Sequence, residues 1–162
     1  MNNVTFPVVG IIGAGAMGRG IAQIAAQAGS VVRLFDTRAE AVSEAVNSIT
    51  GQWDRMQEKG RLTEGALTAN KARLKNATQL SDLADCTLVV EAIVERLDVK
   101  KSLFAELESI VGPDAVLTTN TSSLSVTAIA AGLRVPQRFA GFHFFNPVPL
   151  MKVVEVIAGL KT

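Results

Sequence analysis

Val8-Val9-Gly10-Ile11-Ile12 is followed by Gly13-Ala14-Gly15-Ala16-Met17-Gly18, then by a helical pattern, then by Val31-Val32-Arg33-Leu34-Phe35-Asp36. An apolar run, a glycine turn, a returning helix and a second apolar run ending in an acid predict a β-α-β unit. Its first turn carries the G-x-G-x-x-G fingerprint of a dinucleotide site. Gly13 permits the tight turn off the strand. Gly15 has no Cβ, so a pyrophosphate can reach the backbone, and Gly18 lets the new helix pack closely on the strand. The helix start at Ala16 and Met17 offers unpaired N–H groups and the positive end of its dipole to that pyrophosphate. Ile21, Ile24, Ala25 and Ala28 fall at helical spacing and are expected to face the sheet, with Gly29 ending the helix. Asp36 follows the glycines by roughly the twenty residues expected of a ribose-binding acid. A carboxylate there accepts hydrogen bonds from the adenosine hydroxyls and repels a 2′-phosphate, which favours NAD over NADP. Arg38 points the other way, because a nearby arginine can accommodate that phosphate. A glycine triplet alone would be compatible with a plain strand-turn-helix connection; the flanking strands and the acid carry the dinucleotide reading.

Composition sets the outer bounds. The chain has 162 residues, enough for one domain, and its net charge is +1 with no basic stripe. No nucleic-acid or membrane-surface partner is therefore expected. Cys86 is the single cysteine, which rules out an internal disulfide, suits a reducing compartment and reads as a small buried residue. No positive charge precedes the first apolar run, and that run is too short to span a bilayer. A cytoplasmic location is expected, and no metal is called for.

Beyond Asp36 the pattern stays α/β. Thr37-Arg38-Ala39-Glu40 has the form of a capping box. Val42, Val46, Ile49, Trp53 and Met56 continue a helix to about Lys59, with Gly60 as its stop, and a second helix is predicted from Thr63 to Arg73. Together they form a helical hairpin inserted after the second strand. Its polar residues Gln52, Arg55 and Lys59 read either as a solvated surface or as contacts to a charged substrate carrier. A short strand is expected at Ala77-Thr78 and a buried one over Thr87–Ala92, exiting through Ile93-Val94-Glu95. A helix from Leu97 is expected to turn Val99, Leu103, Leu107 and Ile110 inward until Gly112-Pro113. Val116–Thr119 is the next strand and Asn120–Ser123 its exit loop. Ser125 caps a short helix, and strands follow at Phe139–Phe145 and Val153–Ile157. The alternation predicts a Rossmann-type, doubly wound and mainly parallel sheet.

The chain has one histidine, His143, standing among phenylalanines and before Asn146-Pro147. Glu155 lies on the next strand-like run, between apolar residues. A buried carboxylate needs a partner, and His143 is the natural one. Such a pair fixes the imidazole tautomer and makes it a base useful near neutral pH; equally, it could be a structural tie between two strands. Ser122 and Asn120 occupy a strand-end loop on the expected ligand side, where turn chemistry alone also favours them. Glu95 and Lys100 bracket a helix start and read in isolation as a solvated charge pair.

Four stretches together resemble the NAD-binding domain of the 3-hydroxyacyl-CoA dehydrogenases: Gly13–Ala22, Leu88–Glu95, Thr119–Leu124, and Gly141-Phe142-His143-Phe144-Phe145-Asn146-Pro147-Val148-Pro149. The glycine motif is shared by many dehydrogenases, whereas the last two are far more specific. The resemblance covers essentially the whole chain. It implies His143 as catalytic base, Glu155 as its orienting partner, and Ser122 as a hydroxyl touching both the substrate oxygen and the nicotinamide region. It implies cofactor contacts at Gly13, Gly15, Ala16, Met17, Gly18, Asp36, Glu95, Lys100, Ser122 and Asn146, and an acyl-CoA contact at Lys59. The reaction implied is NAD-dependent oxidation of (S)-3-hydroxyacyl-CoA to 3-oxoacyl-CoA, or its reverse, in fatty-acid or related acyl-CoA metabolism. Family members continue into an all-helical domain that completes the active site and usually forms the dimer. The chain stops at Thr162, so residues 1–162 are expected to be the cofactor domain alone, able to bind NAD and poor in turnover, with a homodimeric full-length protein. Two other readings stay open: an NAD-holding module without chemistry, and another β-hydroxyacid dehydrogenase.

Overall fold

The apolar run Val8–Ile12 becomes an interior strand of the sheet because both of its faces find cover. In the computed structural model, which describes residues 4–162, Ile11 packs into a core on one face and Ile12 into a second core on the other, as the two-residue period of a strand requires. The elements in chain order are β1 (Val8–Ile12), α1 (Ala16–Gln27), β2 (Val31–Phe35), α2 (Ala39–Glu58), α3 (Glu64–Arg73), β3 (Leu74–Asn76), β4 (Leu88–Glu91), α4 (Leu97–Ile110), β5 (Val116–Thr119), α5 (Val126–Ala130), β6 (Phe139–Phe144) and β7 (Val154–Ala158).

The strands form one sheet in the order β3-β2-β1-β4-β5-β6-β7. All neighbours are parallel except β6 and β7. The chain winds outward from β1 through β2 to β3, returns to β4, and winds outward the other way. The crevice between β1 and β4 at the strands' C-terminal ends is therefore the switch point where open α/β sheets take ligands. Helices α1 and α2 cover one face around Val32, Leu34 and Trp53. Helices α4 and α5 cover the other around Val89, Leu117 and Ile129, where Phe104 meets Phe139 edge-on at 4.7 Å. Trp53 is completely buried and anchors the helical hairpin to the domain. Among the described residues, no helix is long and apolar enough to cross a membrane.

Four local expectations are corrected. The Thr37–Glu40 capping box does not form: the N-cap of α2 falls one residue later, at Arg38, whose side chain supplies no acceptor. The short strand lies at Leu74–Asn76 rather than Ala77-Thr78, set by Leu74 burying its side chain opposite Val32. Ala28 is exposed, and Ala22 and Ala26 face the sheet instead. On α4 Leu107 is buried as expected and Leu103 packs partly against the core, but Lys100, Phe104 and Glu108 are buried as well, and Val99 borders the crevice instead.

Candidate active site and cofactor cleft

The turn after β1 is built by close backbone approach. Gly13 has φ +102°, and a Cβ there would stand 2.4 Å from the Ala92 carbonyl oxygen; one on Gly18 would stand 1.8 Å from the Gly13 oxygen. No side chain fits at either position. Gly15 differs: a Cβ there would meet nothing within 4 Å. No protein packing explains a glycine at the exposed mouth of the turn, whereas an approaching ligand does. The Ala14 N–H donates to Asp36 Oδ2 at 2.9 Å and the Arg38 N–H to Asp36 Oδ1 at 3.0 Å, so both Asp36 oxygens hold backbone amides and the acid is fixed at the rim. Gly13, Gly15, Asp36, Arg38, Ile93 and Val94 border a cleft of about 590 Å³ at the switch point. An acidic rim, a bare backbone and a helix N-terminus on one cleft fit an adenosine diphosphate moiety without a 2′-phosphate. Ala16 is exposed at the start of α1, and Met17 packs partly into the core beneath it.

The histidine site lies on the β6–β7 hairpin. His143 stands directly opposite Glu155 in the antiparallel register, and His143 Nδ1 is 2.9 Å from Glu155 Oε2. A carboxylate at that nitrogen selects the tautomer that donates from Nδ1 and leaves Nε2 free to accept a proton. The expected pairing is present, but its expected reason is not. Glu155 is 56% exposed and every residue of β7 is exposed, so no buried charge demands the partner. The register of an edge hairpin, rather than desolvation, brings the two together. His143 itself is 18% exposed and its ring lies 4.7 Å from that of Phe145.

The exit loops of β4, β5 and β6 converge through named links. Glu91, at the end of β4, is completely buried. Its Oε1 accepts the Ile93 N–H at 2.7 Å and Lys100 Nζ at 2.5 Å, and its Oε2 accepts the Thr119 hydroxyl at 2.7 Å. Lys100 Nζ is also 3.3 Å from Glu95 Oε1, and Glu95 Oε2 accepts the Thr121 hydroxyl at 2.5 Å. The solvated Glu95–Lys100 pair read from sequence is thus corrected: Lys100 is completely buried, its nearest partner is Glu91, and it steadies Glu95 from beneath rather than facing the cleft. Asn120 Oδ1 accepts the Phe144 N–H at 2.9 Å, tying the Ser122 loop to the histidine strand. Ser122 and Asn146 are exposed on the loops after β5 and β6. The β6 exit loop seats Val148 against Gly20 of α1, where a Cβ would come within 2.7 Å. Lys59 is exposed at the end of α2 and does not border the cleft. Glu91, Thr119 and Thr121 were not singled out from sequence, although an acid closing a doubly buried strand was a signal that a cation lay nearby.

Residues 8–162 match the family model described as "3-hydroxyacyl-CoA dehydrogenase, NAD binding domain". The chain belongs to that family. It is an NAD-binding domain, and 3-hydroxyacyl-CoA dehydrogenases are its relatives. The Escherichia coli K12 3-hydroxyadipyl-CoA dehydrogenase is 46% identical over 98% of this chain and 34% of its own length. The Bradyrhizobium diazoefficiens 3-hydroxybutyryl-CoA dehydrogenase is 46% identical over 95% of this chain and 53% of its own. A crystal structure of a 3-hydroxybutyryl-CoA dehydrogenase from E. coli K12 superposes with a TM-score of 0.95, at 46% identity, over 98% of this chain and 34% of that one. The chain thus spans about half or less of the length of these relatives.

Proposed function

We propose that this chain carries the cofactor site and the catalytic base of an NAD-dependent dehydrogenase interconverting (S)-3-hydroxyacyl-CoA and 3-oxoacyl-CoA. The observation that carries the reading is the His143–Glu155 pair, which lies near the C-terminal end of β6, the end of the parallel strands that also bears the cofactor cleft. A domain that only held NAD would have no use for an imidazole oriented by a carboxylate at 2.9 Å. In this reading His143 Nε2 takes the hydroxyl proton of the substrate, and Glu155 stabilises the imidazolium that forms. Ser122 hydrogen-bonds the reacting oxygen. The amides from Gly13 to Gly18, including those of Ala16 and Met17, hold the pyrophosphate, while Asp36 holds the adenosine ribose. Glu95 and Asn146 contact the nicotinamide half, with Lys100 supporting Glu95. When bound, NAD⁺ is the two-electron acceptor for the hydrogen on C3. Lys59 on the hairpin contacts CoA. The full-length protein acts in the cytoplasm, in fatty-acid or related acyl-CoA metabolism, as a homodimer joined outside this domain; the single buried thiol supports the compartment.

The test is NADH oxidation by the full-length protein with acetoacetyl-CoA, beside the variant His143→Ala. The expected result is CoA-ester-dependent turnover that falls by about 10²–10⁴-fold in the variant while NADH affinity is kept. NADH binding with no turnover on any 3-oxoacyl-CoA would overturn the substrate assignment. An unchanged rate in His143→Ala would overturn the base.

A further inference from the structure

We infer that Asn120 is a positioning residue for His143, an inference that rests on the proposed catalytic reading of that histidine. Parallel pairing of β5 with β6 ends where Thr119 meets Gly141, yet β6 runs on through Phe142, His143 and Phe144. Those three residues have a strand only on the β7 side, and β7 is exposed along its whole length. Edge strands with one partner open locally at small free-energy cost. On the other side, where β5 has ended, Asn120 Oδ1 accepts the Phe144 N–H at 2.9 Å. One side-chain oxygen thus replaces the missing strand, one residue from the imidazole.

The acceptor is itself held. The Asn120 N–H donates to the Glu91 carbonyl oxygen at 2.8 Å. Its neighbours are fixed by Thr119 Oγ1 on Glu91 and Thr121 Oγ1 on Glu95. Turn chemistry does not account for the contact. An asparagine in a turn bonds its own backbone about two residues on, whereas this one reaches a residue 24 positions away. Side chains alternate along β6: the Phe142 and Phe144 rings meet at 4.6 Å on one face, and His143 projects from the other. Rotation of the backbone at Phe144 therefore turns His143 with it.

The test compares Asn120→Ala, which removes the acceptor, with Asn120→Asp, which keeps an oxygen in its place, in the full-length protein. Asn120→Ala is expected to lower kcat with acetoacetyl-CoA by about 10–100-fold, the scale of a small misplacement of a catalytic group, with the NADH Kd unchanged. Asn120→Asp is expected to recover most of the rate. A ¹⁵N-histidine spectrum gives a readout independent of turnover. The Nδ1–H signal of His143, assigned by its disappearance in His143→Ala, is expected in the parent and in Asn120→Asp, and broadened or lost in Asn120→Ala. Should Asn120→Ala fail to bind NADH, Asn120→Ser, whose hydroxyl is too short to reach Phe144, takes its place. An unchanged kcat and ring signal in the Ala or Ser variant would overturn the inference. So would an Asn120→Asp variant as impaired as Asn120→Ala in both. If the parent turns over no 3-oxoacyl-CoA, the proposed function fails, and the ring signal alone decides the role of Asn120.

Discussion

The β1–α1–β2 unit and the β6–β7 hairpin sit in the same sheet and are built in opposite ways. In the first, Ile11, Val32 and Leu34 are completely buried, and its key groups are amides and missing side chains within residues 8–36. In the second, β7 is exposed throughout and the key groups are two side chains joined by cross-strand register. The cofactor end thus depends on where the backbone can go, and the histidine end on where a side chain points. Substitutions at the closely packed glycines of the first, Gly13 and Gly18, should damage fold and binding together, and substitutions in the second should damage rate alone.

The largest expected effect breaks the first region. In Gly18→Ala the new Cβ meets the Gly13 oxygen at 1.8 Å, a backbone collision that no rotamer relieves. NADH binding should be lost, and stability in urea should fall by about 3 kcal/mol or more, the upper range for overpacking. Gly15→Ala sharpens the same point, because its Cβ meets no protein atom within 4 Å. Stability should stay within about 0.5 kcal/mol, as for an exposed site, while the NADH Kd rises. Equal loss of stability in both variants would show that Gly15 serves the fold rather than a ligand.

The same contrast explains what could be read from sequence. The glycine turn, Asp36, the strand over Val116–Thr119 and the strand expected over Phe139–Phe145, which ends one residue earlier at Phe144, were legible because their signals are local: periodicity, turn residues and a run of apolar side chains. Lys100 was misread because periodicity assigns an inward face by hydrophobicity. The face α4 buries is instead decided by Glu91, nine residues earlier on another element. The Thr37 cap was misplaced by one residue, because the helix boundary falls at Arg38 although the capping-box pattern sits on Thr37 and Glu40. His143 and Glu155 were paired correctly on a wrong premise. Their strands were visible, but the pairing is set by cross-strand register between exposed residues, which no local pattern records.

Glu155→Gln tests the second region. The amide keeps the shape and the cross-strand contact but loses the charge that stabilises an imidazolium. Turnover by the full-length protein should fall on the order of 100-fold, as expected when a general base is mistuned. Because Glu155 is 56% exposed, urea stability should move by no more than about 0.5 kcal/mol. A stability loss that outweighs the rate loss would make the pair a strand tie instead, and would erase the distinction between the two regions.

The smallest expected effect is a pH dependence set by a thiol packed beneath the first region. Cys86 lies 3% exposed beneath β1, close enough that a Cβ on Gly10 would stand 3.0 Å from its Sγ. Burial, helped by the Asp85 carboxylate and partly offset by the Arg33 guanidinium, pushes the thiol up to about 12. The folded state therefore binds the thiol proton more tightly than the unfolded chain does. That contribution is fully present below the unfolded value of about 8.5 and is lost as pH rises toward the folded one, by at most about 1.4 kcal/mol per pH unit. The parent and Cys86→Ala should show parallel urea stabilities from pH 6 to 8, approximately the range below that unfolded value. From about pH 9 the parent alone should decline relative to the variant, since groups common to both cancel in the difference. The chain has no tyrosine to titrate in that range. NADH should shift the whole parent curve upward without changing its slope, because it binds the folded domain at the rim and leaves the thiol under β1 untouched. A slope that changed with NADH would mean that the cleft and the core beneath β1 open together, so that the packing beneath the first region depends on its ligand.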